Sequence, residues 1–247
     1  MKESEEDSMA SEKKVIFVLV EGRSDMISLK CAFEAAYPKK KVIVSPYNGD
    51  ITTDGAYSHI NIKERIYAEL WDSLKKYCLD YDDVAEIIHV IDTDGAYIED
   101  KRIIENTNMK KTRYNSKKRT IITRDKCSIE KRNQHKRNVV DCLVETGALF
   151  GIPYRIFYMA CNLDHVLYND PNLRHGEKIA KAKKFAAEYS QNLSAFIDFI
   201  SNSPFSEVND YEESWNKVRF HESGLKSISR LTNLGIVFIG RPDVWHP

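Results

Sequence analysis

The sequence predicts an α/β fold with a mainly parallel central sheet of about four strands flanked by helices, followed by a helical C-terminal extension. Three observations carry that prediction. Val15–Val20 (VIFVLV) is an unbroken apolar, β-branched run, the pattern of a strand buried on both faces. Two more runs of the same kind follow, at 41–45 (KVIVS) and 84–91 (VAEIIHVI). The segments between them have helical rather than alternating periodicity, and strand–helix–strand–helix–strand is the rhythm of a Rossmann-like parallel sheet.

The elements follow in order. After the first strand, Glu21-Gly22 makes a turn, and residues 25–37 place Met26, Ile27, Leu29, Cys31, Ala32 and Phe33 at roughly helical spacing before Pro38. The second strand ends in the loop Pro46-Tyr47-Asn48-Gly49-Asp50. Residues 60–77 read as an amphipathic helix with Ile62, Ile66, Leu70, Leu74 and Tyr77 on one face. The third strand ends at Asp92-Thr93-Asp94-Gly95. A polar, basic insertion near 98–127 interrupts the rhythm and reads as a flexible loop. A helix over 128–146 and a fourth strand over 154–160 (YRIFYMA) resume it. Beyond that, helices are expected over Leu163–Tyr168, 176–189, 193–200, 211–218 and 225–231, with a short apolar run at 235–239. The expected organisation is an acidic, disordered tail over 1–13, an α/β domain over 14–165, and a mainly helical region over 166–247.

Composition excludes several classes. No apolar run approaches the 18 or so residues that a membrane helix needs, and the polar start has no signal-peptide apolar stretch. The five cysteines (Cys31, Cys78, Cys127, Cys142, Cys161) are scattered, with no C-x-x-C pair. Zinc sites and a disulfide framework are therefore not expected; small core residues in a reduced, cytoplasmic setting are. His59, His135, His175, His221 and His246 show no ligand-like pairing and are expected on the surface.

The formal charge is +0, with 37 basic and 37 acidic residues, yet the charges are segregated. From Lys101 to Asn138 there are fourteen Lys or Arg against three acids (Glu105, Asp125, Glu130). Phosphate responds to that local field rather than to the global sum. Lys110, Lys111, Arg113, Lys117, Lys118, Arg119 and Arg124, around Tyr114, are the expected nucleic-acid contacts, with Arg23 beside the first strand.

Ligands of open α/β sheets bind at the carboxyl ends of strands. Two strands deliver acids there: Glu21, with Asp25 one helical turn on, and Asp92 with Asp94. If the first and third strands are neighbours, four carboxylates converge and repel unless a cation neutralises them. Hard oxygen donors of this kind suit Mg²⁺ or Mn²⁺. D-x-D spacing in an extended segment would aim both side chains at one ion. Asp164 and His165, in Asn162-Leu163-Asp164-His165 after the fourth strand, reach the same edge; Asn162 as a helix N-cap is the simpler account of that segment.

The stretches VIFVLVEGRSD (15–25) and IIHVIDTDG (87–95) resemble the Toprim domain of topoisomerases, primases, ribosomal-RNA maturases and OLD (overcoming lysogenization defect) nucleases. The Pro46-Tyr47-Asn48-Gly49 loop resembles the P-x-x-G turn of OLD-type members. The resemblance implies that Asp92 and Asp94 hold Mg²⁺ and that Glu21 is a metal ligand or general acid/base. It covers roughly 14–96 and the strand at 154–160. No G-x-x-x-x-G-K-[ST] occurs, so the ATPase half of full-length OLD nucleases is absent from this sequence; stand-alone Toprim proteins of the phage-defence type are the nearest comparison. The implied activity is metal-dependent hydrolysis of DNA or RNA, by the chain alone or with a partner such as a separate ATPase. Two other readings stand beside it: a non-catalytic nucleic-acid or nucleotide-binding module, and a haloacid-dehalogenase-like phosphatase using D-x-D-G with residues 120–124 (TIITR) as its second motif.

Overall fold

The computed structural model of the chain describes residues 14–47 and 49–239. The tail expected to be disordered, Asn48 of the P-x-x-G loop, and His246 lie outside them.

Strands β1 (Val15–Val20), β2 (Lys41–Pro46) and β3 (Val84–Asp92) alternate with helices α1 (Arg23–Ala36) and α2 (Ile62–Lys75). The inserted segment holds β4 (Ile103–Glu105), β5 (Arg113–Asn115) and β6 (Thr120–Thr123), and α3 (Lys126–Val144) follows. A short hairpin, β7 (Ala148–Leu149) and β8 (Ile152–Met159), leads into α4 (Leu163–Tyr168), α5 (His175–Tyr189), α6 (Leu193–Ser201), α7 (Tyr211–Arg219) and α8 (Ile236–Ile239).

The central sheet runs β2-β1-β3-β8-β7. Its first four strands are parallel, and β7 pairs antiparallel with β8. The fold is thus α/β with a mostly parallel sheet flanked by helices, as the alternating pattern predicts. Because side chains alternate across a strand, Val15, Phe17 and Leu19 of β1 enter one core with α2, α3 and α7, while Ile16, Val18 and Val20 enter the other with α1, α4, α5, α6 and α8. Burial on both faces is why these strands are apolar throughout rather than alternating.

Three expectations are corrected. The basic insertion is a three-stranded sheet ordered β4-β6-β5, not a flexible loop. Ile103 and Ile121 bury with Ile98, Ile129, Cys161 and Ile228 in a third small core, which is what holds it. The helix expected over 225–231 is a 3-10 segment, His221–Ile228, in which Glu222, Ser223 and Gly224 are left-handed. A Cβ on Gly224 would lie 2.0 Å from the Tyr97 carbonyl oxygen, so this crossing requires glycine. Of the cysteines only Cys161 is buried; Cys31 and Cys142 are half-buried, and Cys78 and Cys127 are exposed. No described helix is long and apolar enough to cross a membrane.

The C-terminal third closes onto the sheet. The Ala160 N–H donates to the Leu231 carbonyl and the Cys161 N–H to the Ser227 carbonyl, at 2.8 and 2.7 Å. Buried Trp215 and Phe238 complete the two main cores.

Candidate carboxylate site

β1 and β3 are adjacent, with Val20 opposite Val90, so Glu21 and Asp92 leave the sheet side by side. A Glu21 Oε1 atom accepts the Asp92 backbone N–H at 2.9 Å. Asp92 ends its strand, but Asp94 is left-handed (φ 51°), held there by its own N–H to the Cys161 carbonyl at 2.8 Å. Thr93 between them donates its hydroxyl to the Ser227 carbonyl at 2.7 Å. The D-x-D segment is therefore not extended, and its two carboxylates serve different groups. The extended D-x-D backbone expected from the spacing is not what the chain adopts at Asp94.

The first group is Glu21, Asp50 and Asp94, which each offer a carboxylate oxygen within 4.8 Å of the others. The centre of the group is taken by Lys136 of α3, whose side chain is 0 % exposed. Its Nζ lies 2.7 Å from Asp50 Oδ2, 2.7 Å from Asp94 Oδ2 and 3.6 Å from a Glu21 oxygen. Burial opposes the charge on Asp50 and Asp94, but the Lys136 ammonium and its hydrogen bonds, joined by the Thr52 and Thr53 hydroxyls at Asp50 and by Arg132 at Asp94, together hold both carboxyls below the usual carboxylate range. Asp50 is further fixed by the Thr52 and Thr53 hydroxyls, at 2.6 and 2.8 Å. Lys136 is itself pushed up, because Asp50 and Asp94 overcome its own desolvation. Glu21, farther from the ammonium, is driven well above its usual range by burial and by Asp50.

The second group is open. Asp25, Asp92 and Asp164 line a pocket of about 260 Å³ with Glu21 and Lys178. Asp25 caps α1, accepting the Gly22 N–H at 3.0 Å and the Ser24 hydroxyl at 3.1 Å. It does not join the Lys136 group, and burial pushes its carboxyl up to about 6. Asp92 accepts the Leu163 N–H at 2.8 Å, and burial, Asp25 and Asp94 push it well up. Asp164 Oδ2 pairs with Lys178 Nζ at 2.6 Å, while its Oδ1 is buried with no hydrogen-bond partner. Asn162 is the helix N-cap, accepting the His165 N–H at 2.9 Å. His165 is buried, and desolvation and Arg230 push it down to about 4.

The inserted sheet docks on this edge through Tyr114, whose hydroxyl donates to Asp94 Oδ1 at 2.8 Å. Arg132 reaches the Tyr114 hydroxyl and the Asp94 carbonyl, at 3.2 and 2.9 Å. The Tyr114 backbone exchanges two hydrogen bonds with the Asn172 side chain, both 2.8 Å. Between these elements lies a cleft of about 540 Å³ that includes Asp92, Asp94, Lys111, Arg113, Arg174 and Lys178 in its lining. Lys110, Lys117, Lys118 and Arg124 are exposed outside that lining. Arg119 is committed to an ion pair with Glu222. Arg23 is exposed and borders the smaller pocket. Residues 120–124, the phosphatase-like second motif, fall on and just after β6 of the inserted sheet rather than at the end of a central strand. His59, His175 and His221 are exposed as expected, whereas His135 is half-buried with its Nε2 atom enclosed.

Sequence reasoning missed Asp50, Lys136 and Lys178. Asp50 carried a signal, since it follows β2 at the same sheet edge as Glu21 after β1. Lys136 carried a fainter one: it falls on the face of α3 marked by Ile129, Asn133, Val140 and Leu143, all buried. Lys178 reads as any solvent-facing helix lysine. Fold and site together define an α/β protein with an internally neutralised carboxylate group beside an open acidic pocket. No protein-family model, curated protein or solved structure matches the chain.

Proposed function

We propose that this protein is a Mg²⁺- or Mn²⁺-dependent nuclease of the Toprim kind that hydrolyses phosphodiester bonds in DNA or RNA. The observation that carries the reading is the open pocket, where Glu21, Asp25, Asp92 and Asp164 meet and a buried Asp164 oxygen has no partner. A partnerless buried carboxylate oxygen costs free energy that a bound cation would offset. Glu21, Asp92 and Asp164 line the pocket as hard oxygen donors and would hold a divalent ion by closing on it, since among the described residues only Glu21, Asp50 and Asp94 already bring carboxylate oxygens within 4.8 Å of one another. When bound, the ion would supply charge for the phosphate and the departing oxygen. Glu21, whose carboxyl is raised by burial and by Asp50, would be ionised by a bound cation beside it and could then orient the attacking water and accept its proton. Lys136 keeps Asp50 and Asp94 ionised and fixed, and Asp94 in turn holds Tyr114 and the inserted sheet over the edge.

The test is incubation of the purified chain, alone, with labelled DNA and RNA in Mg²⁺, Mn²⁺ or EDTA. Cleavage should require the metal, and Glu21→Gln should lower it by about 10²–10⁴-fold while leaving nucleic-acid binding in place.

A second reading has its own observation. The Lys136 ammonium already neutralises the tightest carboxylate group, which favours a nucleic-acid-binding module acting through a partner such as a separate ATPase. Under that reading wild type and Glu21→Gln bind alike and neither cleaves.

A further inference from the structure

The larger cleft has chemistry that the carboxylates do not explain. One wall is the β5 side of the inserted sheet, with Lys111, Thr112 and Arg113; the other is the start of α5, with Arg174 and His175. Lys111, Arg113 and Arg174 are all exposed, and none forms an ion pair among the described residues. No side chain caps the start of α5, so its first N–H groups and the positive end of its dipole add to the same field, offset in part by Glu177 in the first turn. The walls are held in fixed relation by the paired Tyr114–Asn172 hydrogen bonds. Asp92 and Asp94 belong to the same lining.

We infer that this cleft is a seat for the phosphate backbone of a single nucleic-acid strand, which it lays across the strand-end carboxylates. The inference rests on the proposed nuclease reading and names its substrate class. Cations on two sides of a concavity recognise a backbone phosphate that enters between them. In a duplex each backbone is held against its partner strand on a convex surface, and it reaches such a recess less readily than a flexible single strand. The seat also reads backbone rather than base. Tyr114 is the lone aromatic ring in the cleft's lining besides His175, and its hydroxyl is committed to Asp94 and Arg132. The exposed His175 ring is the free face on which a base could stack, and stacking of that kind is sequence-tolerant, so binding should be indifferent to sequence.

The test is fluorescence anisotropy with the full chain in EDTA at low salt, using short oligothymidylate, oligoadenylate and a duplex of equal length. Arg113→Ala/Arg174→Ala should weaken single-strand binding by about tenfold, and lower the slope of log affinity against log salt by about 0.7 for each phosphate no longer neutralised. Lys39→Ala/Lys183→Ala removes the same charge from exposed positions outside the cleft and should change binding less than about twofold. The two homopolymers should bind alike and the duplex at least about tenfold more weakly. Equal losses in both double variants, or duplex binding as tight as single-strand binding, would overturn the seat. Because binding is read without metal, it separates from turnover. If Arg113 and Arg174 matter for binding but no metal-dependent cleavage occurs, the seat stands and the nuclease reading fails. If cleavage occurs with KM unchanged in Arg113→Ala/Arg174→Ala, the nuclease stands and the seat fails.

Discussion

Two groups of acids share one edge of the sheet and meet opposite fates. Around Lys136, Glu21, Asp50 and Asp94 enclose an ammonium that is wholly out of water. A few residues away, Asp25, Asp92 and Asp164 border a pocket, and their neighbouring Lys178 is 35 % exposed. The difference teaches how a fold can carry many carboxylates at one place. It neutralises one group with a fixed cation, which sets geometry, and leaves the other beside open space. Glu21 belongs to both, with an oxygen 3.6 Å from Lys136 Nζ and a hydrogen bond from the Asp92 backbone.

The comparison breaks most easily at the two lysines. Lys136→Met leaves buried carboxylates without their cation and should lower the unfolding free energy by about 3–5 kcal/mol in urea titrations near neutral pH. Lys178→Met should cost less, about 2 kcal/mol, since Lys178 is 35 % exposed although the Asp164 carboxylate it leaves unpaired is buried. The Lys136→Met deficit should also shrink in acid. Asp50 and Asp94 have folded values below the ordinary carboxylate range, so their stabilising contribution is present above about pH 4 and is lost as pH falls through those values. Equal costs at the two lysines would mean that the groups are not distinct in kind.

His89 sharpens the sealed side. It lies fully buried on β3, with Nδ1 2.8 Å from the Tyr154 hydroxyl; its Nε2 has no partner. Desolvation depresses it to about 3. A histidine lowered in the folded state stays neutral there while the unfolded chain protonates near pH 6.5, so stability is full above that value and falls as pH drops towards 3. Between pH 7.5 and pH 5 the linkage amounts to about 2 kcal/mol. His89→Leu should lose about that much less than wild type over the same interval, measured by urea denaturation at each pH. An identical pH dependence in the two proteins would show that water reaches the ring.

What the sequence shows and hides follows the same division. β1 and β3 are legible because burial on both faces leaves an unbroken apolar run, and the turns after them expose Glu21 and Asp92 as strand-end acids. β4, β5 and β6 are not, because three- and four-residue strands amid lysines give no periodicity; their sheet depends on Ile103 and Ile121 meeting residues far along the chain. The split of Asp92 from Asp94 is equally hidden. It comes from a left-handed backbone fixed by Cys161 and by the Ser227 segment, contacts that no local pattern encodes. Lys136 is hidden for a different reason: a buried lysine makes sense only when its three carboxylate partners, from three other segments, are known together.

The smallest expected effect tests the proposed metal ion and which of the two groups it would join. At a Mg²⁺ concentration ten times its dissociation constant, a single site stabilises the folded chain by about 1.4 kcal/mol, or a rise in Tm of about 3–5 °C for a protein of this length. Wild type should show that rise against an EDTA reference, because the open pocket has room for the ion and no fully buried ammonium to displace. Asp92→Asn and Asp164→Asn should each remove most of it, the latter because the ion's claim on the partnerless Asp164 oxygen is gone. Comparing each variant with and without Mg²⁺ cancels its own change in baseline stability. If the ion instead belongs among Glu21, Asp50 and Asp94, it must displace an ammonium bonded at 2.7 Å to two of them. The rise would then be missing in wild type and present in Lys136→Met, where the ion replaces the lost cation. That reversal would move the metal to the sealed group and leave Asp164 as a structural partner of Lys178.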